Sequence, residues 1–274
     1  MTSWYDESKE QIKENEVQVL RVDLNGLDPI GSALNTILSP DERERADGFR
    51  FAIHKQRFIL TRGMLRIVLG ACLKRRPGDL IFSYGEYGKP RLLRTAETPH
   101  LAFNVSHSED LAVFALTAGT EVGVDVELLR PREDLDGLAR TAFSYAEFDN
   151  YRQLTPAERP RAFYRCWTRK EAFIKAIGHG FAYPLDQFDV SMGESAALLR
   201  LNGEATAATR WWLQNLATPD PFIGALAIAG INFHLSEFDL LPEMCTALVE
   251  QTIAGGQPEA PVLSRTESRQ DCSK

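Results

Sequence analysis

The segment Gly123-Val124-Asp125-Val126-Glu127 holds two carboxylates at i and i+2 between β-branched residues. On a strand both side chains point to one face. Carboxylates held side by side repel, so the pair is favourable mainly when a divalent cation neutralises it. Hard oxygen donors with open positions suit Mg²⁺ bound together with a substrate phosphate. The plain alternative for so short a pattern is the solvated face of an edge strand.

A second segment, Phe163 to Lys175, reads as a helix with Phe163, Trp167, Ile174 and Ile177 as its apolar stripe and Glu171 and Lys175 along one edge, four residues apart. An ordinary surface ion pair is the bland reading of the latter two. Lys170 falls inside the apolar stripe, a costly place unless its head escapes to solvent or meets an anion. A third segment, Phe103-Asn104-Val105-Ser106-His107-Ser108, reads as a strand running into a polar turn. Serine and histidine at a strand end can donate to a phosphate oxygen, and neighbouring negative charge would hold His107 protonated. A hydrolase with Ser106 or Ser108 as nucleophile and His107 as base is the competing reading. It is opposed by strand alternation, which sends adjacent residues to opposite faces, and by the lack of a Gly-x-Ser-x-Gly elbow.

The elements that must position these residues are legible from periodicity. Residues 17–24 alternate as an opening strand. Ser39-Pro40-Asp41-Glu42 has capping-box spacing and starts a helix, and a second helix runs from about His54 to Leu73. Short strands are expected near 80–84, 102–106, 111–117 and 122–127, forming a small antiparallel sheet in the middle of the chain. Helical patterning returns over 135–154 and 161–177, followed by strands near 188–192, 210–216 and 222–229. Helices alternating with mostly antiparallel strands indicate an α+β class. Thr61-Arg62 before Gly70 and Thr168-Arg169 before Gly178 give the two long helices a faint likeness. The stretch from Gly255, ending in a polar run over 264–274, reads as a poorly ordered tail.

Bulk composition narrows the function classes. The chain has 274 residues, enough for one large domain or two smaller ones, and ordinary apolar and charged content. With 38 acidic against 31 basic residues its formal charge is −7, which argues against broad nucleic-acid binding. An anionic ligand must then find a local basic pocket. The N-terminus has no apolar signal core and no run approaches the roughly 18 residues of a membrane span, so a cytoplasmic protein without a membrane partner is expected. Cys72, Cys166, Cys245 and Cys272 are far apart and form no CxxC pair, so free thiols are expected.

In order along the chain, Gly88-Lys89-Pro90, Asn104-Val-Ser106-His107-Ser108, Gly123-Val-Asp125-Val-Glu127 and Trp167-Thr-Arg-Lys-Glu171-Ala-Phe-Ile-Lys175 resemble the Sfp-type 4′-phosphopantetheinyl transferases, over about Ser39 to Val190. The resemblance implies an α+β fold made of a pseudo-twofold pair of similar subdomains, each a small, mainly antiparallel sheet packed with helices. Residues 1–120 would contribute coenzyme A binding, 121–240 would carry the metal-binding acids, and 241–274 would form the tail. It further implies Mg²⁺, or Mn²⁺ in its place, on Asp125, Glu127 and Glu171, and phosphate contacts from Ser106, His107 and Lys175. Lys89 matches a basic residue near the coenzyme. Arg57, Arg45 and Arg62 are candidates for the nucleotide's 3′-phosphate, although Asp47-Gly48 departs from the more basic run expected before Phe49. Phe143-Ser144-Tyr-Ala-Glu147 resembles the family's FSxxE stretch, whose glutamate has no settled role.

The implied reaction moves the phosphopantetheine arm of coenzyme A to a serine of an apo acyl or peptidyl carrier protein, of fatty-acid, polyketide or nonribosomal-peptide type. The serine hydroxyl attacks the β-phosphorus and 3′,5′-ADP leaves, with Glu171 or a metal-bound water taking the proton and Lys175 and His107 adding positive charge. A monomer is expected. The alternatives are a non-catalytic module binding a carrier or nucleotide, and a metal-dependent pyrophosphohydrolase.

Overall fold

Two buried helices organise the molecule. The computed structural model describes residues 12–93 and 100–256, together with the pairs 2–3 and 262–263. The first part of the chain forms β1 (Thr2–Ser3), β2 (Glu16–Asp23), α1 (Gly31–Ile37), α2 (Pro40–Asp47), α3 (Ala52–Leu73), β3 (Phe82–Tyr84), β4 (Pro90–Leu92), β5 (Leu101–Ser108) and β6 (Leu111–Ala118). Next come β7 (Val122–Leu128), α4 (Leu135–Ala142), α5 (Tyr145–Gln153), α6 (Arg159–Ile177), β8 (Phe188–Val190) and β9 (Leu198–Leu201). The chain closes with α7 (Ala205–Ala208), β10 (Trp211–Leu216), β11 (Phe222–Ala229), β12 (His234–Leu240), α8 (Pro242–Ile253) and β13 (Val262–Leu263), the last pairing with β1.

The main sheets have the orders β12-β2-β6-β5 and β10-β11-β7, antiparallel except for the parallel β12/β2 pair. Alternation sorts each strand between two cores. Val17, Val19, Val113 and Ala115 of the first sheet meet Val122, Val124, Val126, Leu226 and Ile228 of the second in a shared apolar layer. The opposite face of the first sheet, through Leu20, Val22, Phe114 and Leu116, packs with Met64, Leu65, Val68 and other residues of α3. The opposite face of β7 and β11 carries α6. The α+β class with two similar halves is thus realised.

Three local expectations are corrected. Residues 135–154 are two helices, because the Ser144 hydroxyl accepts from the Glu147 N–H and the Glu147 carboxylate accepts from the Ser144 N–H, starting a new helix at Tyr145. The strand at 122–128 pairs with β11 rather than joining β5 and β6, so the middle of the chain contributes to both sheets. Residues 234–240, assigned by sequence to the second unit, lie parallel to β2 in the first sheet, and α8 adds Cys245, Leu248 and Val249 to the first core. The tail beyond Gly256, apart from β13, lies outside the described residues, as does Cys272, while Cys72, Cys166 and Cys245 are free thiols.

Each half contains the same buried device. Glu42 and Glu147 are the last residues of Ser-x-x-Glu capping boxes, and each turns its carboxylate onto a cation of the long helix. Glu42 meets Arg66 of α3 at 2.6 Å, and Glu147 meets Lys170 of α6 at 2.8 Å. Both cations donate to two backbone carbonyls, Pro77 and Leu80 for Arg66, Leu185 and Phe188 for Lys170, and both lie over a phenylalanine ring, Phe82 or Phe188. This match pairs Arg66 with Lys170, three residues out of step with the Thr61-Arg62 and Thr168-Arg169 likeness.

Candidate active site

Positions 167, 171 and 175 of α6 lie four residues apart on one helical face, and β7 presents Gly123, Asp125 and Glu127 on one strand face. Close approach of helix and strand brings the two rows together. A Cβ on Gly123 would lie 2.0 Å from the Ala172 carbonyl oxygen and 2.3 Å from the Ala176 nitrogen, so only glycine allows this contact. Gly123→Ala is therefore expected to push α6 off the strand. Such overpacking costs about 1–3 kcal/mol, and an ångström-scale misplacement of the acids would lower any catalysis that depends on them about a hundredfold. Thermal melts together with initial rates check both effects, and wild-type values would refute the contact's importance.

The acids sit in a protein-lined recess. Asp125 is buried (3% exposed) and its Oδ1 accepts from Lys175 Nζ at 2.6 Å and from Ser106 Oγ at 2.9 Å. Lys175 also donates to Ser106 Oγ at 3.1 Å. Half-buried Glu127 accepts from Ser108 Oγ at 2.9 Å and from the Trp167 side chain. Glu171 is 7% exposed. Two carboxylate oxygens, Asp125 Oδ2 and Glu171 Oε1, are buried without a hydrogen-bond partner. Burial, followed by the negative charge of Asp125 and then Glu127, pushes the Glu171 carboxyl up to about 7. Glu127 is also raised, by burial and then by Asp125.

The donor chemistry suits a hard divalent cation, since Asp125 and Glu127 share a strand face, Glu171 feels the charge of both, and two buried carboxylate oxygens lack a hydrogen-bond partner. Among the described residues no three or more His, Cys, Asp or Glu side chains stand in an arrangement that could hold a metal ion as it is. The Lys175 ammonium is the countercharge at Asp125, and Ser108 holds Glu127. Asp125, Glu127 and Glu171 are of the ligand type that a hard cation takes.

The remaining predicted residues divide into two groups. Ser106 and Lys175 meet at Asp125, while His107 and Arg57 lie close enough to feel each other's charge. His107 is exposed on the strand face opposite Ser106 and Ser108, consistent with alternation and against a serine–histidine nucleophile pair. The expectation that negative charge keeps it protonated is reversed. Lost hydration, then the neighbouring Lys175, Arg57 and His54, lower its pKa. Arg57 pairs with Glu109 at 2.7 Å and Asp110 at 2.9 Å.

Lys89, Arg45 and Arg62 lie outside this group. Lys89 is buried, and its ammonium donates to Glu121 at 2.6 Å and to the carbonyls of Val122 and Ala176. It ties the Gly88-Lys89-Pro90 turn to the start of β7 and the end of α6. Exposed Arg45 and buried Arg62 lie over the Phe58 ring, and Arg62 approaches Glu42 at 3.6 Å. Within the Trp167–Lys175 motif, Arg169 and Lys170 point away from the recess. Arg169 holds the backbone of Ser191, Gly193 and Glu194, and Lys170 meets Glu147, which is the anion its place in the apolar stripe required. Sequence reading missed Gly123, Trp167 and Ser108 as parts of the site. The signal for the last was the alternation Asn104, Ser106, Ser108, three polar residues on one strand face.

Two family models match the chain: the 4′-phosphopantetheinyl transferase superfamily over residues 121–228, and the N-terminal part of 4′-phosphopantetheinyl transferase over residues 30–119. The 4′-phosphopantetheinyl transferase HetI of Nostoc sp. is 35% identical over 220 residues, covering 80% of this chain and 90% of HetI. AcpT of Salmonella typhi is 34% identical over 157 residues, covering 57% and 75% of the two chains, and Sfp of Bacillus subtilis is 31% identical over 157 residues, covering 57% and 67%. Both are also named 4′-phosphopantetheinyl transferases.

Proposed function

This chain belongs to the 4′-phosphopantetheinyl transferase superfamily, and we propose that Asp125, Glu127 and Glu171 are its divalent-cation ligands, with Ser106, His107 and Lys175 contacting the phosphates of coenzyme A. The enzyme transfers the phosphopantetheine arm of coenzyme A to a carrier-protein serine, and the readings as a mere binding module or a pyrophosphohydrolase are not favoured. The observation that carries the metal assignment is the pair of partnerless buried oxygens, Asp125 Oδ2 and Glu171 Oε1, in a recess of three acids.

Mg²⁺ bound there would neutralise the pyrophosphate and the charge that develops on the departing 3′,5′-ADP. Lys175, 27% exposed and bonded to Asp125, is the ammonium that turns to a phosphate oxygen. His107, whose pKa is lowered by lost hydration and neighbouring cations, donates a ring N–H to the coenzyme. A carboxylate engaged by a cation is a weak base, so the serine proton is assigned to water in the recess rather than to Glu171. Exposed Arg45 is the best placed of the three arginines to reach the nucleotide, because Arg57 is ion-paired and Arg62 is buried.

In this reading the first subdomain contributes coenzyme contacts, the second contributes the acids, and a single chain acts alone. No helix among the described residues is long and apolar enough to cross a membrane. The free thiols suit a reducing compartment such as the cytoplasm.

Glu171 titrates at about 7 in the fold against 4.5 for the free group. Between those values the folded state binds the extra proton, so metal-free stability falls as pH rises through that window. Cation binding needs ionised carboxylates, so stabilisation by Mg²⁺ grows over the same range. Thermal melts with and without Mg²⁺ should therefore show a small rise in Tm at about pH 6 and a larger one at about pH 8. An equal rise at both, or none at the higher pH, would overturn the assignment.

A further inference from the structure

Among the described residues β7 has one hydrogen-bonded strand neighbour, β11, and its other edge runs alongside β5 of the first sheet. The N–H groups on that edge find side chains where a continuous sheet would supply carbonyls. Val124 N–H donates to Asn104 Oδ1 at 2.9 Å, Val126 N–H to Ser106 Oγ at 3.4 Å, and Leu128 N–H to Ser108 Oγ at 3.0 Å. The three acceptors are alternate residues of β5, so a single strand face supplies them all.

A hydroxyl differs from a carbonyl in one decisive way: while accepting an N–H it can still donate. Ser108 Oγ donates to Glu127 Oε2 at 2.9 Å, and Ser106 Oγ to Asp125 Oδ1 at 2.9 Å. An ordinary backbone ladder between β5 and β7 would satisfy the same N–H groups and take these serine donors from the carboxylates. Asn104, which lies beside Gly123 and Val124, uses its oxygen on the backbone and meets no acid of the recess.

We infer that Ser108 is a positioning residue for the transfer reaction: its hydroxyl, fixed by the Leu128 N–H, aims the Glu127 carboxylate at the cation position. The inference rests on the reading of Asp125, Glu127 and Glu171 as cation ligands. Ser108 touches neither coenzyme nor carrier in this role and acts through Glu127. Hydrogen bonds that orient a ligating carboxylate are typically worth about 10–100-fold in metal affinity.

The test is direct Mn²⁺ binding to the full chain, read by electron paramagnetic resonance, for wild type, Ser108→Ala, Ser108→Thr and Asn104→Ala. Wild type should bind, Ser108→Ala should bind about tenfold more weakly or worse, and Ser108→Thr, which keeps the hydroxyl, should recover most of the loss. Asn104→Ala removes a bond of the same ladder that reaches no carboxylate. It should lower Tm with less than about a twofold change in affinity. Ser108→Ala binding as tightly as wild type, or Asn104→Ala losing as much as Ser108→Ala, would reduce Ser108 to a purely structural bond and sink the inference alone. A wild-type chain that binds no Mn²⁺ would remove the cation-site reading together with it.

Discussion

Asp125→Ala and Glu171→Gln are each expected to lower phosphopantetheine transfer about a thousandfold, because a Lewis acid at a transferring phosphoryl group is worth several kcal/mol. The fold should survive. Glu171 is buried with one partnerless oxygen, and its carboxyl is held at about 7 by burial and two neighbouring acids. Its ionised form therefore weakens the metal-free protein at alkaline pH, and Glu171→Gln should melt at the same temperature as wild type or higher when Mg²⁺ is absent. Asp125→Ala differs, since it strips Lys175 and Ser106 of an acceptor, and a modest loss of Tm is expected. The measurement is the rate at which an apo carrier gains the mass of one phosphopantetheine arm, with melts on the same samples. Wild-type turnover by either variant at saturating Mg²⁺ would show that these carboxylates do not hold the cation.

Glu147→Ala is expected to destabilise the fold by about 3–5 kcal/mol. It would leave the fully buried Lys170 ammonium without its anion, and the N–H groups of Ser144 and Val190 without acceptors. Two carbonyls, Leu185 and Phe188, would remain to the ammonium, too little to stabilise a full charge away from water. Glu147→Gln combined with Lys170→Met removes both charges and keeps an amide oxygen near those N–H groups, so it should recover at least half of the loss. Equilibrium denaturation measures both variants. A loss under about 1 kcal/mol for Glu147→Ala would mean that the pair contributes little. Because the pair faces away from the recess, protein that remains folded should keep its turnover, which separates a structural FSxxE glutamate from a chemical one.

The two halves share an architecture, but only the second carries the row of acids. Setting β6 against β11 residue for residue puts Leu20, opposite Phe114, where the second half has Asp125, opposite Ala225. Val22 then corresponds to Glu127. Both are buried in the first core, where carboxylates would be costly. The first half fills this face with apolar side chains against α3, while the second, which holds α6 on the same face, places carboxylates there beside the helix.

Much of this was decided along the chain itself. The i, i+2 spacing of Asp125 and Glu127 puts both acids on one face of any strand, and the four-residue spacing of Trp167, Glu171 and Lys175 puts them on one face of any helix. The Ser-x-x-Glu pairs mark helix starts wherever they occur. These are consequences of backbone geometry and need no partner. What the tertiary structure alone decided concerns groups distant in sequence: that β7 pairs with β11 while resting its other edge on the side chains of β5, that β12 returns to the first sheet, and that Lys170 finds Glu147. It also spends Lys89 and Arg57 on carboxylates and surrounds His107 with cations. Local periodicity says which face a residue takes but not which segment will meet that face, and the state of a charge depends on that meeting through burial and the sign of its neighbours.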